Sequence, residues 1–202
     1  MTYRSAHHAL ICAFVPHDRP AHSSWQDQYD PSADRKSRNS RVLEEPDEVG
    51  MHSAALLSAL HGMEEVAGEA ANVLKHLARM SDTPAAVLIL KTCPPRQPHH
   101  LLREEATVPH PLYRAAVRWL GAESLAPVGG LEHETARQDA VRRACGAKVN
   151  VGITADKCGV SRDTIERLNA KVKKWIGPIE DRAWREIEDR LQAAGLIEIE
   201  LV

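Results

Sequence analysis

Aromatic residues and long apolar runs are both scarce in this sequence. Only eight of its 202 residues are aromatic, whereas β-sandwiches and β-barrels rely on aromatic and β-branched side chains. The longest apolar run, residues 84–90, is far shorter than the roughly 20 residues that a membrane-spanning helix needs. The composition, rich in alanine, leucine, glutamate and arginine, instead favours helices. The sequence therefore predicts a mostly α-helical protein without a membrane contact.

Motifs for metal binding and catalysis are also missing. The four cysteines form no C-x-x-C pair, and no histidine stands at a zinc-ligand spacing from them. The sequence has no glycine-rich phosphate loop, no nucleophile elbow and no His-Glu metal motif. No clean cleavage site follows the short apolar run near the N-terminus. We therefore expect reduced thiols, a cytoplasmic protein, no metal, no cofactor and no enzymatic activity.

The first 50 residues lack any persistent periodicity. They contain four prolines, a basic run at 35–41 and half of all the aromatic residues. This composition predicts a disordered N-terminal head over residues 1–50. Met51 follows directly, so an alternative interpretation is that the natural chain starts there and that residues 1–50 are a mis-assigned extension.

A regular apolar seam follows the head. Its residues are spaced alternately by four and three positions over three heptads: Leu56, Leu60, Met63, Ala67, Ala70, Leu74 and Leu77. This spacing predicts a helix over residues 53–80. Two interpretations fit the seam, namely the core-facing side of a bundle helix and a coiled coil that forms a homodimer.

Further helices are predicted up to residue 126, completing a helical bundle segment over 51–126. Residues 81–84 indicate a helix start, with Asp82 or Thr83 as the cap. Residues 85–91 fit either a short buried helix or a strand, and the prolines of residues 93–98 predict a loop. The next helix is expected to begin at Pro111 and to end at Gly121.

A C-terminal domain is predicted over residues 131–202, after a linker that contains Pro127, Gly129 and Gly130. Its first helix is expected over 132–145. The dipeptide Gly177-Pro178 predicts a break between two later helices. Gly195 is expected to end the last helix, and residues 196–202 to form an edge strand or a tail.

The most informative stretch is residues 150–170. It contains a small residue, a turn glycine, a cap and apolar positions at fixed spacing: Ala155, Gly159, Val160, Ser161, Thr164, Ile165 and Leu168. Gly159 suits the positive φ that turns the chain, and Ser161 suits the N-cap of the second helix. The pattern resembles the helix-turn-helix of DNA-binding regulators. Gly152 and Thr154 depart from that pattern and weaken the first helix.

Charge is distributed unevenly around this stretch. Residues 140–175 hold nine basic and three acidic residues, whereas residues 176–202 hold three basic and seven acidic residues. The net charge of −2 for the whole chain therefore conceals a segment of +6 and a tail of −4. A positive segment that coincides with the motif is what contact with phosphate requires.

The resemblance implies roles for eight residues of the second helix and its cap. Arg162 and Arg167 would read guanine edges in the major groove. Asp163 and Glu166 would accept hydrogen bonds from cytosine or orient the two arginines. The three lysines Lys171, Lys173 and Lys174 are expected to contact phosphates. Ser161 would act both as the cap and as a phosphate ligand.

The resulting hypothesis is a sequence-specific, DNA-binding transcription regulator. The resemblance implies a phage or prophage protein of the late-gene antiterminator or activator type. The expected partners are double-stranded DNA, RNA polymerase and a second copy of the chain. The alternative is a helical, phage-type interaction or assembly protein that uses the seam and binds no nucleic acid.

Overall fold

The computed structural model describes residues 3–14, 69–98 and 107–197. These residues form eight helices and two short antiparallel strands, so the prediction of a mostly helical fold is confirmed. The strands pair Arg96 with Pro109, where the sequence predicted only a loop. The elements in chain order are α1 (Ala6–Phe14), α2 (Glu69–Ala78), α3 (Asp82–Thr92), β1 (Arg96–Pro98), β2 (Thr107–Pro109), α4 (Pro111–Glu123), α5 (Leu125–Val128), α6 (Glu134–Ala144), α7 (Val151–Cys158) and α8 (Arg162–Ala193).

Helix α3 lies at the centre of the core. Six consecutive residues, 85–90, are all buried, so the helix is covered on every side. It packs against both α4 and α8. Its apolar run fitted either a helix or a strand, and the structure shows a helix. Its proline lies in the first turn as predicted, but Ser81 occupies the N-cap position rather than Asp82 or Thr83.

One hydrophobic core joins helices on both sides of the Gly129–Gly130 turn. Helix α6 packs against α4 on one side and against α8 on the other. The buried residues of 73–120 and of 136–191 form a single cluster. The candidate helix-turn-helix at 151–193 is therefore built onto the same core as the helices that precede it.

Residues 3–14 correct the prediction of a disordered head. They form α1, whose Leu10 is fully buried and whose Phe14 is 3% exposed. Tyr3 donates a backbone hydrogen bond to the Leu196 carbonyl (2.8 Å) and forms a parallel bridge with Ile197. The apolar residues of this segment are thus buried against α2 and the end of the chain. The rest of the predicted head, residues 15–50, lies outside the described residues.

Only the end of the predicted apolar seam falls within the described residues. Leu74 and Leu77 are buried in the core, and α2 packs against α1. These two positions therefore face the inside of this chain. The earlier positions, from Leu56 to Ala67, lie outside the described residues.

Two predicted helix ends are wrong. Helix α4 continues past Gly121 to Glu123. Gly121 instead suits close packing against α6, since a Cβ there would lie 3.2 Å from the Gln138 Cγ. Helix α8 runs for 32 residues through Gly177 and Pro178. Pro178 is exposed, and burial of the apolar stripe before and after it offsets the hydrogen bond that proline cannot make. That stripe comprises Val172, Ile176, Ile179, Ala183, Ile187 and Leu191.

A buried arginine connects the ends of α4 and α5 to α6. Arg137 is 2% exposed, and its guanidinium donates hydrogen bonds to the Ser124 carbonyl (2.9 Å), the Ser124 Oγ (3.1 Å) and the Gly129 carbonyl (3.0 Å). Burial lowers the pKa of Arg137, and the nearby Glu132 opposes that shift. A cation suits these oxygens because the carbonyls at helix C-termini carry partial negative charge.

All four cysteines are free thiols, and burial raises the pKa of Cys93 and of Cys145 to about 12. Among the described residues, no helix combines the length and the apolar character that crossing a membrane requires. The longest helix, α8, carries charged residues along its whole length.

Candidate nucleic-acid interface

Helix α7 begins with a side-chain cap. The Asn150 side-chain oxygen accepts hydrogen bonds from the backbone N–H groups of Gly152 (2.9 Å) and Ile153 (3.2 Å). These bonds satisfy two of the N–H groups that a helix start leaves without partners. The cap therefore stabilises a helix that its own glycine weakens.

The turn between α7 and α8 has the predicted geometry. Gly159 adopts a left-handed conformation (φ 64°, ψ 31°), and the Val160 N–H donates to the Ala155 carbonyl (3.1 Å). This is the six-to-one bond of a Schellman turn. Ser161 is the N-cap of α8, and its Oγ accepts a hydrogen bond from the Thr164 N–H (3.2 Å). The interpretation of Gly159 as the turn and Ser161 as the cap is thereby confirmed.

Thr154 anchors α7 to α6. Its hydroxyl lies 2.7 Å from the Asp139 Oδ2 and 3.1 Å from the Asn150 carbonyl, so the buried oxygen has partners. A larger aliphatic residue was expected at this position of the motif. The hydrogen bond to Asp139 explains why threonine occupies this position. No local sequence pattern predicts this bond, because the two residues lie 15 positions apart.

All eight predicted contact residues are exposed, and they lie in or directly before the N-terminal half of α8. Seven belong to the first four turns of α8, and Ser161 caps it. The opposite face is buried through Ile165, Leu168 and Val172. The 100° step of a helix places Asp163, Arg167 and Lys174 directly opposite this buried face.

The other candidates lie on the two flanks of that face. Arg162, Glu166 and Lys173 share the flank towards α6 and α7, by the same helical spacing. Lys171 lies on the other flank, where its Nζ is 3.9 Å from the position that a Cβ on Gly130 would occupy. Lys171 therefore lies close to the Gly129–Gly130 turn, where the Gly129 carbonyl accepts a hydrogen bond from Arg137.

Arg162 lies across the start of α7. A Cβ on Gly152 would be 3.0 Å from the Arg162 Nη2 and 3.3 Å from its Cζ. Glycine at 152 therefore leaves room for the guanidinium, which gives this departure from the motif a structural reason. The contact also places Arg162 between the two helices of the motif.

Arg143 is a further residue of this surface that the motif does not include. Its Nη1 lies 3.0 Å from the Glu166 Oε2. Arg143 belongs to the positive segment over residues 140–175. Whether its side chain reaches α8 depends on how α6 crosses α8. Sequence spacing carries no signal for that crossing, because the two residues are 23 positions apart.

Metal ligation has no candidate in the part of the chain that the structure describes: no three His, Cys, Asp or Glu residues there are grouped so that they could hold an ion. Comparison of the chain with protein-family models, with curated proteins and with solved structures finds no match in any of the three.

Proposed function

We propose that this protein is a sequence-specific, double-stranded-DNA-binding transcription regulator, in which α7, the turn and α8 act as a helix-turn-helix. The N-terminal half of α8 would enter the major groove. One observation carries the proposal: the predicted contact residues lie exposed on a helix whose opposite face is anchored in the core. A rigid helix of this kind presents side chains to bases with little loss of conformational entropy.

The arginines supply the proposed base contacts. Arg162 is the first residue of α8, next to the cap, and Arg167 lies opposite the buried face. A guanidinium pairs with the O6 and N7 of guanine through two hydrogen bonds, which is the commonest specific contact in the major groove.

The lysines supply the proposed phosphate contacts. Lys171, Lys173 and Lys174 are exposed one to three turns beyond the arginines, on different sides of α8. Lysine contacts of this kind position the protein on the duplex without reading its sequence. The second half of α8 is acidic, and its negative charge would repel the duplex. We therefore assign no DNA contact to it.

The class of regulator follows from the resemblance alone. We propose a phage or prophage regulator that contacts RNA polymerase and binds as a homodimer. A homodimer would bind two half-sites about one helical turn of DNA apart, roughly 34–36 Å from centre to centre. Selection of binding sites from a random duplex pool, followed by a search for paired half-sites, tests this geometry.

The test of DNA binding compares two double variants. Arg162→Ala/Arg167→Ala removes the proposed base contacts, and Arg182→Ala/Arg185→Ala removes the same charge from an exposed part of α8 far from the turn. Binding to a duplex selected by the wild-type protein is measured by fluorescence polarisation from 50 to 300 mM salt. Because each good contact contributes about 1–3 kcal/mol, loss of both should weaken binding by about 2–6 kcal/mol, at least roughly 30-fold in affinity, and the second variant should lose little. Equal affinity of the first variant and the wild type would overturn the proposal.

A further inference from the structure

A second basic surface lies beside α6. It is a groove of about 510 Å³ between α4, α6 and the β1–β2 pair. Four arginines from three separate elements line it: Arg96, Arg114, Arg118 and Arg142. Among the described residues that line the groove, Asp139 is the one carboxylate. We call this surface the arginine groove.

Two of the arginines form one wall. Arg114 and Arg118 are four positions apart on α4, so they lie on the same face one turn apart, and both are exposed. Like charges at this spacing repel each other and weaken a helix by a few tenths of a kcal/mol. Arg96 on β1 and Arg142 on α6 line the rest of the groove. A bound anion would relieve the repulsion between Arg114 and Arg118.

The carboxylate of Asp139 is already engaged. Asp139 Oδ1 lies 3.2 Å from the Arg142 Nη1, and its Oδ2 accepts the hydrogen bond of Thr154. Asp139 therefore holds Arg142 in place and does not neutralise the α4 wall. The exposed guanidinium groups of Arg114 and Arg118 therefore remain the donors that the α4 wall offers to a ligand.

We propose that the arginine groove binds phosphate groups. The guanidinium is planar and presents paired N–H donors that match phosphate oxygens, and arginine is favoured wherever such two-point recognition matters. The volume falls within the range of about 300–1,000 Å³ that ligand sites occupy. This function goes beyond the motif, because none of the groove residues belongs to α7 or α8.

Two sources can supply the phosphate. One is the backbone of the duplex that α8 contacts: Arg142 in the groove is followed directly by Arg143, which pairs with Glu166 on α8. The groove therefore lies next to the proposed recognition helix, connected to it along the end of α6 by these two residues. The other source is a small phosphorylated molecule, which would act on α7 through Arg142, Asp139 and Thr154.

The experiment uses the full chain with two probes, inorganic pyrophosphate by titration calorimetry at low salt and duplex DNA by polarisation over a salt series. Arg114→Gln/Arg118→Gln removes the α4 wall, and Arg182→Gln/Arg185→Gln is the control of equal charge loss. Thermal unfolding checks that both variants fold. Because both arginines are exposed, we expect the groove variant to melt at or slightly above the wild-type temperature.

Either of two results supports the groove. If the phosphate belongs to DNA, the variant binds duplex more weakly, and the slope of log affinity against log salt falls by about 0.9 for each lost contact. If it belongs to a small molecule, the variant loses at least tenfold in pyrophosphate affinity while its DNA binding is unchanged. The proposal is overturned if the variant matches the control for both probes, or if the wild type binds neither. The pyrophosphate measurement needs no DNA, so failure of DNA binding by α8 remains distinguishable.

Discussion

Arg143 on α6 and Glu166 on α8 form an ion pair, with 3.0 Å between Nη1 and Oε2. Both side chains remain substantially exposed, at 39% and 52%, so solvent screens the pair and it contributes little to stability. Its main effect is on the surface charge. It neutralises one of the acidic residues of the proposed recognition helix, and it places Arg143, 23 positions away in the sequence, at the edge of that helix.

The first prediction concerns Glu166→Gln. This change removes a negative charge from the face and releases Arg143, so DNA binding should become tighter. The salt dependence should steepen by about 0.9 if Arg143 then contacts one phosphate. Polarisation over a salt series measures both. Glu188→Gln, at an exposed position in the acidic half of α8, is the control. Weaker binding to the selected duplex would contradict the prediction and would assign Glu166 to a cytosine contact.

The second prediction concerns the turn. Gly159→Ala should destabilise the protein by about 1–2 kcal/mol, because φ is positive there and an L-residue pays that cost. A Cβ would meet nothing within 4 Å, so the cost is purely conformational. Gly159→Asn is the comparison variant, because asparagine adopts a positive φ more readily than alanine and should recover part of that loss. Urea unfolding measures both changes, and an equal or larger loss in Gly159→Asn would refute this explanation.

The third prediction concerns the buried guanidinium. Arg137→Met removes the guanidinium donor of the Gly129 carbonyl and one of the two donors of the Ser124 carbonyl, which keeps the Val128 N–H, and the free energy of unfolding should fall by about 1–3 kcal/mol. The exposed Arg79→Met should change it by less than about 0.5 kcal/mol. Chemical denaturation with a constant m-value provides the comparison. A loss as small as that of Arg79→Met would show that the guanidinium is not needed at the α4–α5 junction.

The fourth prediction concerns the N-terminal helix. Leu10→Ala should lower the free energy of unfolding by about 2–5 kcal/mol, because Leu10 is fully buried. The exposed His8→Ala is the control. A chain that starts at Met51 lacks α1 altogether and should unfold at a lower temperature than the full chain. Equal melting temperatures for the two chains would mean that α1 contributes nothing to the core.

The fifth prediction concerns pH. Burial against Phe14 lowers the pKa of His110 below its usual 6.5, and the pKa of His76 is lowered by burial and by nearby arginines. The unfolded chain therefore binds more protons than the folded one as the pH falls below about 6.5. Stability should be full above this value and should decrease as the pH falls towards the folded-state pKa.

His110→Gln should make that decrease shallower, with His76 accounting for the remainder. His133→Gln, at an exposed position, is the control and should leave the profile unchanged. Melting temperatures from pH 5 to 8 measure the three profiles. A profile that is flat below pH 6.5 in the wild type, or identical in His110→Gln, would contradict the assignment.

Local features of this protein were predictable from its sequence. Gly159 and Ser161 act through their own dihedral angles and through hydrogen bonds to residues three to five positions away, so the sequence alone determines the turn and the cap. The apolar spacing of Ile165 and Leu168 likewise determines which face of α8 is buried, and hence which residues are exposed. These features needed no knowledge of the remaining helices.

Other features depended on contacts between distant residues. Helix α1 forms because its apolar face is buried against α2 and the end of the chain, and α8 continues through Pro178 because its stripe stays buried on both sides. Arg143 meets Glu166, Thr154 meets Asp139 and four arginines share one groove only because α6 packs between α4 and α8. Burial and charge pairing across helices are properties of the packed chain, so tertiary structure alone decided them.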